Sequence, residues 1–394
     1  MSGEIKILDV KAIALEVPIT RMDNPPESLP YYQELKAIVF GSYKSVVVKV
    51  FGENSVVGIG ECMTRLSPGA LVNIINDVLK PILIGKDAFD TEVIWEEMYG
   101  TMRQRGHSKG YFIEAMSGVD IAIWDLKGKT LHKPVHKLLG GKFIESAECY
   151  ASSVRFKRPK EVVSEVKAIV DEGYSKVKLK IGRGEEEDIE AVKLLRDEFG
   201  YSMTIMVDAN SGYSVNSALR IGRKLEKYEV YWFEEPIPPD NLPGYRELTT
   251  KLDIPIAAGE SEFTRYGFRD LFEIGRISIV QPNVGRAGGI SEVKKIIAMA
   301  SAYGIEYAPH TGSSSGLTVA AELQLAASAS NFLIYEHMRS AWSNEQPNPL
   351  GREIMNEAIG PPVKSKIAIP TGYGIGVTLN EEAISRYRIS DSTR

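Results

Sequence analysis

The order of apolar and polar positions divides the chain into two stretches with different rhythms. Residues 5–17 (IKILDVKAIALEV) and 45–62 (SVVVKVFGENSVVGIGEC) are rich in β-branched residues and alternate apolar with polar. That is the period of a half-buried strand, and the second run folds back on itself around Glu53, Asn54 and Ser55. Between them, residues 18–36 are polar and carry Pro25, Pro26, Pro30 and the pair Tyr31–Tyr32. A long segment without pattern inside a compact protein reads as a loop over a functional site. Helical periodicity follows near 70–83, 90–104 and 110–130, with Met116, Val119, Ile123 and Leu126 at helical spacing in the last. The first 140 residues or so therefore read as an α+β module.

From about residue 148 short apolar runs alternate with amphipathic helical stretches: ECYASS (148–153), KVKLKI (176–181), MTIMVD (203–208), VYWFEE (230–235), IPIAAGE (254–260), ISIVQPN (277–283), IEYAPH (305–310) and FLIYE (332–336). Eight strands with intervening helices predict a (β/α)8 barrel over 141–360. An open doubly wound sheet is the alternative. It is weakened because no glycine-rich dinucleotide loop follows the first strand and no phosphate-binding GxxxxGK[ST] occurs. The GYGIG at 372–376 reads as a turn, and the β-rich run at 363–379 is expected to rejoin the N-terminal module. The expected division is thus a cap over 1–140, the barrel over 141–360 and a returning segment over 361–394.

Composition narrows the chemistry. The 394 residues carry 47 Lys+Arg against 52 Asp+Glu, a net charge of −5, which argues against a nucleic-acid binder, whose affinity needs a basic face. Cys62 and Cys149 form no CxxC pair, and the five histidines (His107, His132, His136, His310, His337) contain no HExxH. A disulfide scaffold and a cysteine-based zinc site are excluded, and any metal must be held mostly by oxygen. The N-terminus has no apolar signal region, and no apolar run approaches the roughly 20 residues needed to span a bilayer. A soluble cytoplasmic protein with no membrane partner is the expectation.

Almost every strand of the second stretch ends in a polar or ionisable residue: Lys178 and Lys180, Asp208 with Asn210, Glu234, Glu260, Asn283, His310 and Glu336. From Asp208 onward the spacings are 26, 26, 23, 27 and 26 residues, about one strand–helix unit each. In a parallel barrel these ends share the rim where barrel enzymes keep their chemistry. Asp208, Glu234 and Glu260 cannot all be ionised side by side without a cation, and an all-oxygen donor set favours Mg²⁺ over Mn²⁺ or Ca²⁺. Asn210 points to the same face and orients a ligand from behind. In Lys178–Leu179–Lys180 the alternation turns both lysines inward, where two ammonium groups near a cation depress each other's pKa and free one to act as a base. Lys176 lies deeper on that face and is expected to pair with a carboxylate.

These motifs resemble the enolase superfamily, specifically its mandelate racemase group. GYSKVKLKIG (173–182) is similar to that group's KxK motif, VDAN (207–210), WFEEP (232–236) and AAGE (257–260) to its metal-ligand strand ends, and 117–141 to its cap–barrel junction. The resemblance implies that Asp208, Glu234 and Glu260 hold one Mg²⁺ per subunit. It implies Lys180 as one acid/base, with Lys178 as the carboxylate-contacting neighbour that lowers its pKa. It implies His310 as the acid/base on the opposite face, and Glu336 as a hydrogen-bond donor to the enolate. It also implies a homo-oligomer, a dimer or an octamer. Asn283 departs from the group's usual Asp beside the histidine. An amide brings no charge to an imidazolium, which makes His310 a weaker base and a readier proton donor.

The segment 309–350 is similar to acid-sugar members, including galactarolactone-type cycloisomerases, and its Gly312–Gly316 stretch leaves room beside His310. Arg21, Asp23, Tyr31 and Tyr32 in the expected lid, and Arg65 after the hairpin, suit a polyhydroxylated carboxylate substrate. The other four histidines read as surface or packing residues, and Cys62 as a core filler. The expected reaction is Mg²⁺-dependent dehydration of a sugar acid, by removal of the proton α to the carboxylate and loss of a β-hydroxyl. Cycloisomerisation or epimerisation of a related acid is the alternative within the fold. A ligand-binding relic without turnover is the alternative outside it.

Overall fold

The computed structural model describes residues 4–19, 41–154, 158–342 and 348–389. Three antiparallel strands, β1 (Ile7–Pro18), β2 (Ser42–Gly52) and β3 (Val57–Met63), form the first sheet, with the β2–β3 hairpin turning at 53–55. Against it pack α1 (Pro68–Ile74, running on through a π turn to Leu83), α2 (Thr91–Arg103) and α3 (Tyr111–Thr130). Helix α3 lies almost on the sheet. A Cβ on Gly60 would come 2.7 Å from the Ala122 amide nitrogen, so this close approach requires glycine in β3. The cap core gathers Val46, Val48, Val50, Met116, Val119 and Ile123 between the two layers.

After α4 (Val135–Leu138) the chain enters the barrel, whose strands are β4 (Ser146–Val154), β5 (Lys176–Lys180), β6 (Thr204–Asp208), β7 (Phe233–Glu234), β8 (Ile256–Ala258), β9 (Ile279–Val280), β10 (Glu306–Tyr307) and β11 (Tyr335–Met338). They pair in parallel in sequence order from β4 to β10, and β11 pairs with β4. A parallel bridge between Tyr307 and Phe332 closes the ring. This is the (β/α)8 architecture and not the open doubly wound sheet. Strands β7, β9 and β10 register only two residues each, shorter than their apolar runs. Pro236, Pro282 and Pro309 follow them closely, and a proline has no N–H to extend a ladder.

Helices α5 (Pro159–Asp171), α6 (Glu185–Phe199), α7 (Val215–Glu226), α8 (Leu242–Lys251), α9 (Thr264–Asp270), α10 (Gly289–Ala302) and α11 (Gly316–Ser328) surround the barrel. None of the helices in the described residues is long and apolar enough to cross a membrane. The C-terminal run differs from expectation. Its one strand, β12 (Lys366–Ala368), pairs antiparallel with barrel strand β4 and not with the cap sheet. Contact with the cap comes from its flanks: the Ile375 N–H donates to Asp125 of α3 at 2.8 Å, and Arg388, after α12 (Glu381–Tyr387), bridges Leu15 of β1.

Inside the barrel one rule repeats. Tyr150, Met206, Trp232, Ile279, Ala308 and Ile334 plug the interior. Two residues further on, strand alternation brings Ser152, Asp208, Glu234, Gln281, His310 and Glu336 to the same inward face, all buried. The apolar floor and the polar rim are thus one pattern, set by period two.

Candidate active site

Lys178 and Lys180 stand beside the carboxylates at the barrel mouth. Lys178 Nζ lies 2.6 Å from Glu234 Oε1, 2.8 Å from Glu336 Oε1 and 3.7 Å from Asp208 Oδ2, with 1% of its side chain exposed. Lys180 pairs with Asp208 and donates to Asn210 Oδ1 at 2.8 Å, with 21% exposed to the site opening. Lys176, below them, pairs with Glu148 at 2.6 Å. Burial lowers both inner lysines, but the carboxylates outweigh it and hold both above the ordinary lysine value. Lys178 does lower Lys180, yet Asp208 acts more strongly in the opposite sense.

The acids respond to the same crowding. One ligand oxygen from each of Asp208, Glu234 and Glu260 can be chosen so that all lie within 4.8 Å of one another. Burial, exceeding the pull of Lys178, pushes Glu234 up to about 8, with Asp208, Glu336 and Glu260 adding to the rise. Burial likewise raises Glu235, with Glu260 and Asp208 as the next contributors. Carboxylates that resist ionisation together are a donor set a hard divalent cation would relieve, so the residues present fit one. Glu234 Oε2 is fixed from behind by the Gln281 amide at 2.7 Å and the Trp232 indole N–H at 3.2 Å. Asn210 sits where the sequence places it, its N–H donating to Asp208 Oδ1 at 2.8 Å.

Across the mouth, His310 Nε2 is 3.3 Å from Glu260 Oε2 and 4.0 Å from Glu336 Oε2. Burial lowers its pKa against the opposing pull of both carboxylates, so the ring is neutral near pH 7. Asn283 determines where the ring keeps its proton. Its Oδ1 accepts from the Gly285 N–H at 3.0 Å, which identifies the other branch as the amide NH2. That NH2 donates to the His310 carbonyl at 3.0 Å and to Ser314 Oγ at 3.1 Å, and it faces His310 Nδ1 at 3.3 Å. The amide thus offers Nδ1 no acceptor, whereas Glu260 Oε2 faces Nε2, and the neutral ring carries its hydrogen on Nε2, toward the site. Gly312 keeps this space open, since a Cβ there would lie 2.6 Å from Nε2.

Glu336 differs from its expected role as a protonated donor. It accepts from Ser152 Oγ at 2.8 Å and the Thr311 N–H at 2.6 Å, and although burial raises it, Lys178 and His310 hold its carboxyl far below the usual range. The ionised pair Lys178–Glu336 leaves the ammonium, not the carboxyl, as the hydrogen-bond donor. Arg65 lies close enough for its charge to act on both His310 and Tyr43. Arg21, Asp23, Tyr31 and Tyr32 lie outside the described residues. The remaining histidines stay out of the site. The His337 ring bonds the Tyr174 hydroxyl at 2.7 Å and His136 bonds Gln324 at 2.7 Å, both in buried packing. Ser152, Gln281 and Thr311 are absent from the sequence-based list. The inward alternation that finds Asp208 and Glu234 would also have found the first two.

The segment 161–383 matches the family described as "Enolase C-terminal domain-like", and 18–140 matches "Mandelate racemase / muconate lactonizing enzyme, N-terminal domain". The D-galactarolactone cycloisomerase of Agrobacterium fabrum is 33% identical, over 98% of this chain and 100% of its own. The arabinonate dehydratase of Saccharolobus solfataricus is 32% identical over 90% and 93%. The crystal structure of the 3,6-anhydro-D-galactonate cycloisomerase from Zobellia galactanivorans superposes with a TM-score of 0.84 at 29% identity, covering 98% of this chain and all of that one.

Proposed function

The chain belongs to the mandelate racemase/muconate lactonizing enzyme family, and we propose that within it this protein is a Mg²⁺-dependent dehydratase of a sugar acid. Asp208, Glu234 and Glu260 would hold the ion. When bound, it would cancel much of the carboxylate field around Lys180, leaving burial and Lys178 to lower that lysine, and would draw electron density from the substrate carboxylate. Lys178 donates to a substrate carboxylate oxygen and stabilises the charge that grows there as the α-proton leaves. Lys180 Nζ takes that proton. The C–H electron pair first passes to the substrate carboxylate as an enediolate and then forms the carbon–carbon double bond as the β C–O bond breaks. His310 gives its Nε2 proton to the departing hydroxyl, which leaves as water. The ring regains a proton as the Lys180 ammonium releases the one taken from carbon. The enol then tautomerises to a 2-keto-3-deoxy acid.

The observation that carries this reading is the Asn283 amide against His310 Nδ1. A neutral ring with its hydrogen on Nε2 offers the site a donor and no lone pair, which suits a leaving hydroxyl and does not suit a base. Relatives named as dehydratases, such as the arabinonate dehydratase, support the class, and the polyhydroxylated substrate is inferred from them. The 33% identity to D-galactarolactone cycloisomerase over nearly the full chain favours a second reading, isomerisation of a related lactone. The test is a panel of aldonic acids, aldaric acids and their lactones incubated with Mg²⁺ and followed by mass spectrometry. A keto acid lighter by one water supports dehydration. A product of unchanged mass supports the second reading. No turnover and no exchange of an α-proton in D₂O across the panel would overturn both.

A further inference from the structure

Cap strand β3 ends against the His310 side of the barrel mouth, and its Glu61 has no role in the chemistry above. The side chain is fully buried, and among the described residues no cationic side chain pairs with it. It is held by four donors: the Ser315 N–H at 2.9 and 3.0 Å to its two oxygens, Ser315 Oγ at 2.5 Å, the Thr318 N–H at 3.1 Å and Ser45 Oγ at 2.8 Å. Ser315 is the N-cap of α11, and the Thr318 N–H is one of the orphan donors of its first turn. A carboxylate from the other end of the sequence thus completes the start of this helix. A second tie runs from the same strand, the Met63 N–H donating to the Gly285 carbonyl at 2.9 Å.

Both ties end in the loops that hold the Asn283 amide. The residue before Ser315 is Ser314, whose Oγ accepts from Asn283 Nδ2 at 3.1 Å, and the Gly285 N–H is the donor that fixes Asn283 Oδ1. We propose that Glu61 is a positioning residue of the reaction. By clamping the first turn of α11 to the cap, it holds Ser314, and through it the Asn283 amide that orients the His310 ring. The cap therefore sets the His310 side from a distance, while among the described residues the Lys180 side has no such tie to β3.

The proposal rests on the reading of His310 as the proton donor, and its test separates the two. In the full-length protein with Mg²⁺, labelled with ¹⁵N-histidine, the His310 ring signals are assigned by their loss in His310→Asn. Glu61→Gln replaces a four-way acceptor with a group that accepts at one oxygen and turns an NH2 toward donors. It should move the His310 ring signals beyond their linewidth and leave those of His107 and His132 in place. On any panel acid that is turned over, kcat should fall about 10- to 100-fold, the scale of a small misplacement, with KM changed far less. Asp120→Asn cuts a different cap–barrel tie, to Ser291, and should leave the His310 signals where they are. Were Glu61→Gln not to fold, Ser315→Ala withdraws one donor and should shift the same signals in the same direction. Unchanged His310 signals in the folded variant would overturn the proposal, as would an equal shift in Asp120→Asn. If no panel acid is turned over by the wild type, the proposed function fails, and the ring signals still decide the role of Glu61.

Discussion

The two sides of the barrel mouth are built by different physics. On the Lys178–Lys180 side every nitrogen faces an ionised or ionisable oxygen, and all partners sit on barrel strands or, for Asn210, two residues beyond one. On the His310 side Nε2 also faces Glu260, but the Nδ1 edge of the ring faces a neutral amide, which a serine hydroxyl and backbone groups hold and the cap braces. Charge–charge contacts act over several ångströms and tolerate small displacements, whereas a neutral hydrogen bond weakens steeply with angle and distance. The lysine side is therefore robust and local. The histidine side depends on geometry supplied from outside the barrel.

The largest effect is expected where the charges meet. Chelation of divalent cations with EDTA should lower turnover at least about a thousandfold, with recovery on adding Mg²⁺, because several kcal/mol of transition-state charge stabilisation would go with the ion. Calorimetric titration of Mg²⁺ into Glu234→Gln should show binding weakened or lost. Next, Lys180→Met should cut α-proton exchange in D₂O by about 10²- to 10⁴-fold, the usual contribution of a positioned base.

Smaller changes separate the two sides more finely. Asn283→Asp puts an acceptor and a charge opposite Nδ1, so the ring should keep its proton there and present a bare Nε2. The His310 limb of the pH–rate profile should then move to higher pH, by about 1 unit or more. A limb that moves to lower pH would contradict the assignment. The smallest effect concerns stability alone. Burial holds His337 down at about 4, with Arg339 acting in the same direction. The unfolded chain binds that proton more readily, near pH 6.5, so stability is lost as pH falls from about 6.5 toward 4, by at most about 3 kcal/mol. His337→Gln should flatten the dependence of Tm on pH between 7 and 5.

Much of the lysine side was legible in the sequence because its rule is local. Alternation in KVKLK turns both lysines inward, and the steady spacing of strand ends brings Asp208, Glu234 and Glu260 to the same rim. The same alternation reaches Ser152 and Gln281, which a list confined to charged strand ends passes over. The histidine side was legible only in its members. Asn283 stands out as a departure from a motif, but which way its amide points depends on the Gly285 N–H and Ser314, which no periodicity reveals. Glu61 was illegible for a plainer reason, since its partners at Ser315 and Thr318 lie more than 250 positions away. The returning C-terminal run shows the limit of β-propensity. It marks residues 366–368 as extended and cannot say that the open edge they join belongs to the barrel strand β4. The protonation of Glu336 depends on the balance between burial and Lys178, which only distances settle.

The most direct test of the division between a proton-taking lysine and a proton-giving histidine is His310→Asn, run in D₂O with a panel acid that the wild type dehydrates. Exchange of the α-proton should persist near the wild-type rate, since Lys180 and the carboxylates are untouched, while release of the keto acid falls by about 10²- to 10⁴-fold. Loss of exchange together with loss of product would assign proton removal to His310 and contradict the division.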